Sequence, residues 1–117
     1  MANEFFSSTA VDAALAGVIA EGAFISLHTA TPGTTGASEV TGGSYARVQT
    51  TFAAPAGSSS TGSAVTINVP AGTTIAFFGV WTLESGGVFL EGGPLSSSET
   101  FTGAGTYTLT PTLTGQG

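Results

Sequence analysis

The chain has 117 residues, a length that suits one domain, and it carries seven acidic residues against a single arginine, for a formal net charge of −6. Without a basic face it cannot neutralise a run of phosphates or an anionic lipid surface, which excludes nucleic acid and membrane as partners. Charged residues make up 7% of the chain where about 25% is usual, while Gly (18), Ser (13), Thr (20) and a 41% hydrophobic share describe a β-rich module rather than a disordered polar tract.

Residues 1–22 read as an arm followed by the only helix. Phe5 and Phe6 form a short stretch too apolar to sit comfortably in water. Ser7, Ser8 and Thr9 offer hydroxyls to cap a first turn, and Asp12 falls where the helix dipole favours a negative charge. Val11, Leu15, Val18 and Ile19 recur at three- and four-residue spacing as one apolar stripe, and Gly22 supplies a stop. The apolar stretch over residues 10–20 is too short to span a bilayer and has no basic leader, so neither a membrane span nor a signal peptide is expected.

From residue 23 the period changes to alternation. Ile25 and Leu27 oppose Ser26 and His28, as in a half-buried strand. A long loop over residues 30–44 follows, punctuated by Pro32, Gly33, Gly36, Gly42 and Gly43. Val48, Thr50 and Phe52 then share a face, and residues 55–62 read as a Gly/Ser turn region. Val65, Ile67 and Val69 alternate with Thr66 and Asn68. Over residues 74–83, Ile75, Phe77, Trp81 and Leu83 lie on one face and Ala76, Phe78 and Val80 on the other, so this strand is central or covered by another subunit. A turn at residues 84–87 leads into a strand at 88–90, and further strands are expected at 95–101 and 106–113. In the last, Thr106, Thr108, Thr110, Thr112 and Thr114 make one unbroken polar face, and Pro111 argues for an edge. About seven short strands plus one helix predict a mainly β fold, a β-sandwich of jelly-roll or Greek-key type, with residues 1–22 as arm and helix and 23–117 as the sandwich.

Chemistry-bearing residues are sparse. The absence of cysteine excludes disulfides, thiolate chemistry and zinc–thiolate sites. His28 is the sole imidazole; it is either a general base paired with a serine or carboxylate, or a side chain that anchors a loop or interface, and the second reading is the expectation. The carboxylates are widely spaced, so no acid/base couple or metal cluster is set by local spacing, and a set of solvated acids is expected. Arg47, near Glu39 and Tyr45 in sequence, is expected to pair with Glu39 or with loop carbonyls and so hold the long loop. Trp81 and Tyr45 have the rings to stack on a sugar, but the apolar company of Trp81 points to core or interface packing. No catalytic residue, cofactor or metal is expected.

The run LHTATPGTTGASEVTGGSYARV, residues 27–48, resembles a recurring segment of small virion proteins of tailed bacteriophages, in which a strand ends near a Pro-Gly turn and a Glu-Val-x-Gly-Gly-x-Tyr-x-Arg stretch enters the next strand. Here the elements are Pro32, Gly33, Glu39, Val40, Gly42, Gly43, Tyr45 and Arg47. A second block, FFGVWTLESGGVFLEGGPLSSSETF at residues 77–101, looks like the same family's paired strands around a Gly-Gly turn. The resemblance implies a non-enzymatic structural protein of the virion. The first reading is a capsid decoration protein that sits on the outer shell against the major capsid protein. The alternative is a tail-fibre or tail-tip protein that binds a host-surface glycan. Eight phenylalanines and a strand apolar on both faces predict a homo-oligomer, with Phe5, Phe6, Phe77, Phe78 and Trp81 as interface candidates. The resemblance favours a trimer, because trimers match the local threefold positions of icosahedral shells.

Overall fold

A computed structural model describes residues 16–17, 23–54, 56–57 and 59–114. The Phe5–Phe6 arm and the expected helix lie outside the described residues, apart from Ala16 and Gly17. Eight strands follow in order: β1 (Phe24–His28), β2 (Val48–Gln49), β3 (Ser59–Thr61), β4 (Val65–Val69), β5 (Thr73–Trp81), β6 (Phe89–Phe101), β7 (Gly105–Leu109) and β8 (Thr112–Thr114). The fold is mainly β, and every pairing is antiparallel. A four-stranded sheet runs β2-β1-β5-β6, accompanied by the two-stranded sheets β3-β8 and β4-β7.

The alternation in β4 has its expected consequence. Val65, Ile67 and Val69 are buried while Thr66 and Asn68 face water, and they join Ile25 and Leu27 of β1 and Ile75, Phe78 and Val80 of β5 in one hydrophobic cluster. The strand apolar on both faces is indeed central, with β1 on one side and β6 on the other. Its facing differs from strict alternation. Ile75 lies opposite Glu99 and Phe77 opposite Pro94, so β6 advances five positions where β5 advances two. That irregularity resets the pleat. Ile75 and Phe78, three apart, therefore both enter the core, while Phe77 is half-buried. Leu83, expected to continue the Trp81 face, lies beyond the end of β5 and is 54% exposed.

Three further differences have local causes. The region expected as separate strands at 88–90 and 95–101 is one strand, β6, because Gly92 and Gly93 pair across to Gly79 and Phe78 instead of turning. The last expected strand is two, β7 and β8, broken at buried Pro111. That residue has no N–H to donate, but its carbonyl accepts the Gly62 N–H at 2.8 Å. The Gly/Ser region at 55–62 holds β3, which pairs with β8 and not with a sequence neighbour. The Thr face is as expected: Thr106, Thr108, Thr110 and Thr112 are exposed, and Thr108 meets Thr66 across the β4-β7 pair at 2.9 Å.

Candidate functional site

The long loop after β1 folds back on its own strand. Thr29 N–H donates to Ser38, Val40 N–H donates to Leu27, and His28 bridges Glu39. Turns at Gly33 and Gly36 make this return, with positive φ at both and at Ser38 (φ 64°). Val40 is thereby pinned in the core at 3% exposure, and the Glu39 carboxylate is delivered beside Arg47 at the entrance to β2.

Arg47 uses its whole guanidinium. Nε and Nη2 donate to the two oxygens of Glu39 at 2.9 and 2.8 Å, and Nη1 donates to the carbonyls of Leu83 at 3.0 Å and Gly86 at 2.7 Å. The same group lies 3.6 Å from the centroid of the Trp81 ring. Only the planar five-donor fork of arginine allows a bidentate carboxylate, two carbonyls and a stacked ring together. Tyr45 completes the cluster, donating its hydroxyl to Glu39 at 2.7 Å and accepting the Leu27 N–H at 3.1 Å. Burial works to raise the Glu39 pKa, but the hydrogen bonds from Arg47 and Tyr45 and the guanidinium charge outweigh it, so the carboxyl sits below its ordinary value. Burial, reinforced by the bond to Glu39, pushes the Tyr45 hydroxyl well above its usual range, so it remains a donor.

At the edge of the Trp81 ring, from its indole N–H, runs a second, neutral chain. Trp81 Nε1 donates to Ser26 Oγ at 2.9 Å, Ser26 Oγ lies 2.7 Å from His28 Nε2, and His28 Nδ1 lies 2.7 Å from the Ala37 carbonyl. The proton assignment follows from the network. A carbonyl only accepts, so Nδ1 carries the proton, Nε2 accepts from the Ser26 hydroxyl, and that oxygen in turn accepts from Trp81. Burial holds the His28 pKa below its ordinary value, against the pull of the Ala37 carbonyl, and the ring is neutral at pH 7. Phe89 closes the site with edge contacts to both Trp81 and His28.

Two glycines make room for this arrangement. A Cβ at Gly79 would come within 2.6 Å of Ser26 Oγ and 2.8 Å of His28 Nε2, and one at Gly36 would strike the Trp81 ring. Gly79, which stands opposite Ser26 in the β1-β5 register, is the one signal by which the sequence could have revealed the Ser26–His28 pair. A glycine inside an apolar strand marks a close approach.

Ser26 and His28 were expected on a polar strand face, yet both are fully buried. The serine hydroxyl is held between two partners, no carboxylate meets Nδ1, and neither group reaches solvent, so the pair presents no nucleophile to a substrate. Glu39, Tyr45, Arg47 and Trp81 come together. Phe77 and Phe78 do not join them: Phe78 packs in the core, and Phe77 is half-buried outside the core cluster. The carbonyls of Leu83 and Gly86 were not foreseen as Arg47 partners. Among the described residues, no group of three or more metal-ligating side chains converges, and no helix is long and apolar enough to cross a membrane.

The arrangement is a clamp. One guanidinium fastens the loop at Glu39, the start of β2 and the β5–β6 turn, over a buried ring anchored to β1. A family model described as podophage GP4 fiber I protein gp80 matches residues 3–113. No curated protein and no solved structure matches the chain.

Proposed function

The chain belongs to the podophage GP4 fiber I protein gp80 family, and from that premise we propose that it is a non-enzymatic structural module of a tail fibre. The observation that carries this reading is the family match over nearly the whole chain. The site chemistry agrees with it: the residues that resemble a reactive set are consumed in holding two loops to a sheet. The described residues measure 45 × 22 × 22 Å, an elongated body with Ser and Thr on its faces. In this reading the four-stranded sheet and the two ribbons form a β-sandwich around the shared cluster. The working form is a homo-oligomer, a trimer, and the fibre's outward partner is a host-surface glycan.

Capsid decoration, with the major capsid protein as partner, was the first expectation from sequence. A family described as a fiber protein favours the tail instead. Labelling the protein on intact virions and counting its copies separates the two. Label at the tail with a small copy number is expected. Label spread over the head at hundreds of copies would overturn the tail reading.

A further inference from the structure

Residues 30–38 form a flap tied down at both ends. One end continues β1, and the other is Glu39, held in the Arg47 clamp. Between these ends the flap adds nothing to the hydrophobic cluster. Its two buried residues lie against β5 and β6: Gly36 sits on Trp81 with no room for a Cβ between them, and Pro32 approaches Gly92. Residues 33–35 and 37–38 are exposed. Few bonds close the flap onto β1. Thr29 donates its N–H at 3.0 Å and its hydroxyl at 3.4 Å to the Ser38 carbonyl, and His28 Nδ1 donates to the Ala37 carbonyl at 2.7 Å. To meet Thr29, Ser38 holds a left-handed φ of 64° that a residue with a side chain adopts at a cost.

The fully buried His28 ring fits under this flap only when neutral. As a cation it carries hydrogen on both nitrogens. Nδ1–H keeps the Ala37 carbonyl, but Nε2–H then faces Ser26 Oγ at 2.7 Å, the oxygen that donates to it in the neutral network. Ser26 already accepts from Trp81, so its own hydrogen is left without a partner. Gly79 packs so closely that even a Cβ would come within 2.8 Å of Nε2, which leaves no place for a water. Glu39 attracts the cation and Arg47 repels it, and the Glu39 carboxylate is already engaged by Arg47 and Tyr45. β5 presents Gly79 to the ring and β6 presents Phe89, neither of which titrates. We propose that His28 is a proton-operated latch: taking up a proton drives the ring from its slot, and the flap lifts from β1 and Trp81 while Glu39 stays in the clamp. The closed flap binds the proton more weakly than the lifted one, so acid favours lifting and neutral pH favours closure. Once lifted, the ring regains its ordinary 6.5, and the opening equilibrium gains up to about 30-fold between pH 7.5 and 5. Glu39, held below its ordinary 4.5, stays ionised across that window, so the hinge is unaffected.

The chain has one histidine and one tryptophan, so the latch and the ring beneath the flap each give a single signal. Proton NMR of the full chain between pH 7.5 and 5 follows the His28 ring, the Trp81 indole N–H and the amide protection factors, from which the intrinsic pH dependence of exchange is removed. The expected result is one shared midpoint for the His28 ring, the Trp81 indole N–H and the Thr29 amide, with Thr29 protection falling about tenfold or more. The Val40 amide, which donates to Leu27 beyond the hinge, and the amides of β4 and β7 should keep their protection. His28→Gln keeps a donor for Ala37 and does not titrate, so its Thr29 protection should be flat with pH. If that variant does not fold, the contrast between Thr29 and Val40 in the unmodified chain decides the matter. Thr29 protection that is unchanged down to pH 5 overturns the latch, whether or not the His28 ring titrates. Equal loss of protection at Thr29, Val40 and the strands overturns it in favour of global unfolding. The same pH dependence in His28→Gln overturns it in favour of a carboxylate.

Discussion

Replacing Arg47 by methionine keeps a long apolar stem over Trp81 and removes every polar contact of the guanidinium. Four hydrogen bonds are lost, two to Glu39 and two to the Leu83 and Gly86 carbonyls. Glu39, with 19% of its side chain exposed, is left as a carboxylate with Tyr45 as its remaining side-chain partner. Breaking a buried ion pair from one side costs about 3–5 kcal/mol. Partial hydration of Glu39 puts this case at the lower end, about 3 kcal/mol. That is a large part of the roughly 5–15 kcal/mol available to a domain of this size. Urea unfolding should show a midpoint lower by about 1–3 M for slopes of about 1–3 kcal/mol/M, with amide exchange accelerated across residues 30–44 and 82–88. The Arg47→Met/Glu39→Gln double variant removes the stranded charge, so it should be more stable than the sum of the single losses implies, by about 1 kcal/mol or more. A single-variant loss below about 1 kcal/mol, or strictly additive losses, would refute the assignment of the clamp as a coupled unit.

Acidification should act first through His28. Its folded pKa lies below the ordinary 6.5, so the unfolded chain takes up the proton first; stability is full above about pH 6.5 and falls as the pH drops below it. Urea midpoints between pH 7.5 and 5 should show this slope, and His28→Gln should flatten it. Glu39, held below its ordinary 4.5, adds a second loss as the pH falls further. Glu91 has the opposite sign, since burial raises its pKa; its ionised form opposes folding at neutral pH, so Glu91→Gln should raise the midpoint at pH 7 and have no effect well below pH 4. Gly79→Ala places a methyl against Ser26, His28 and Phe89 and should lower stability by about 1–3 kcal/mol, with a changed Trp81 fluorescence spectrum.

Most of the apolar framework could be read from spacing, because alternation is a local signal. Val65, Ile67 and Val69 show it, as does the Thr face of β7. The pairing of Arg47 with Glu39 was also legible, since only eight positions separate the sole arginine from the carboxylate. What escaped was set by distant partners. Ser26 and His28 alternate with Ile25 and Leu27 as a solvent face does, and it takes the Trp81 indole, 55 positions from Ser26, together with Phe89 to turn that face into a sealed one. Gly92 and Gly93 read as a break between strands. Neither has a positive φ; a Cβ at Gly92 would press on the Phe78 carbonyl and the Phe89 ring, so glycine there permits a close approach inside a continuous strand. β3 was invisible because Ser59–Thr61 has no apolar period, and its partner β8 lies some fifty positions away.

The placement of the one cation constrains how this protein can recognise anything. Arg47 is buried and neutralised by Glu39, so the described surface carries only carboxylates, with Glu84 and Glu99 exposed and Glu91 half-buried. Such a surface repels phosphate polymers and offers copies of itself no attractive charge pairs among the described residues. Complementary electrostatics therefore cannot set the register of an assembly built from this chain. Register must come instead from groups that are directional without being charged, such as strand edges and hydroxyl ladders like Thr74 with Thr100 at 2.9 Å. A strand edge supplies direction but little selectivity, because any extended backbone can pair with it. Association of copies through such uncharged groups should persist when salt is raised from 0.05 to 1 M, whereas assembly held by ion pairs would dissociate over the same range.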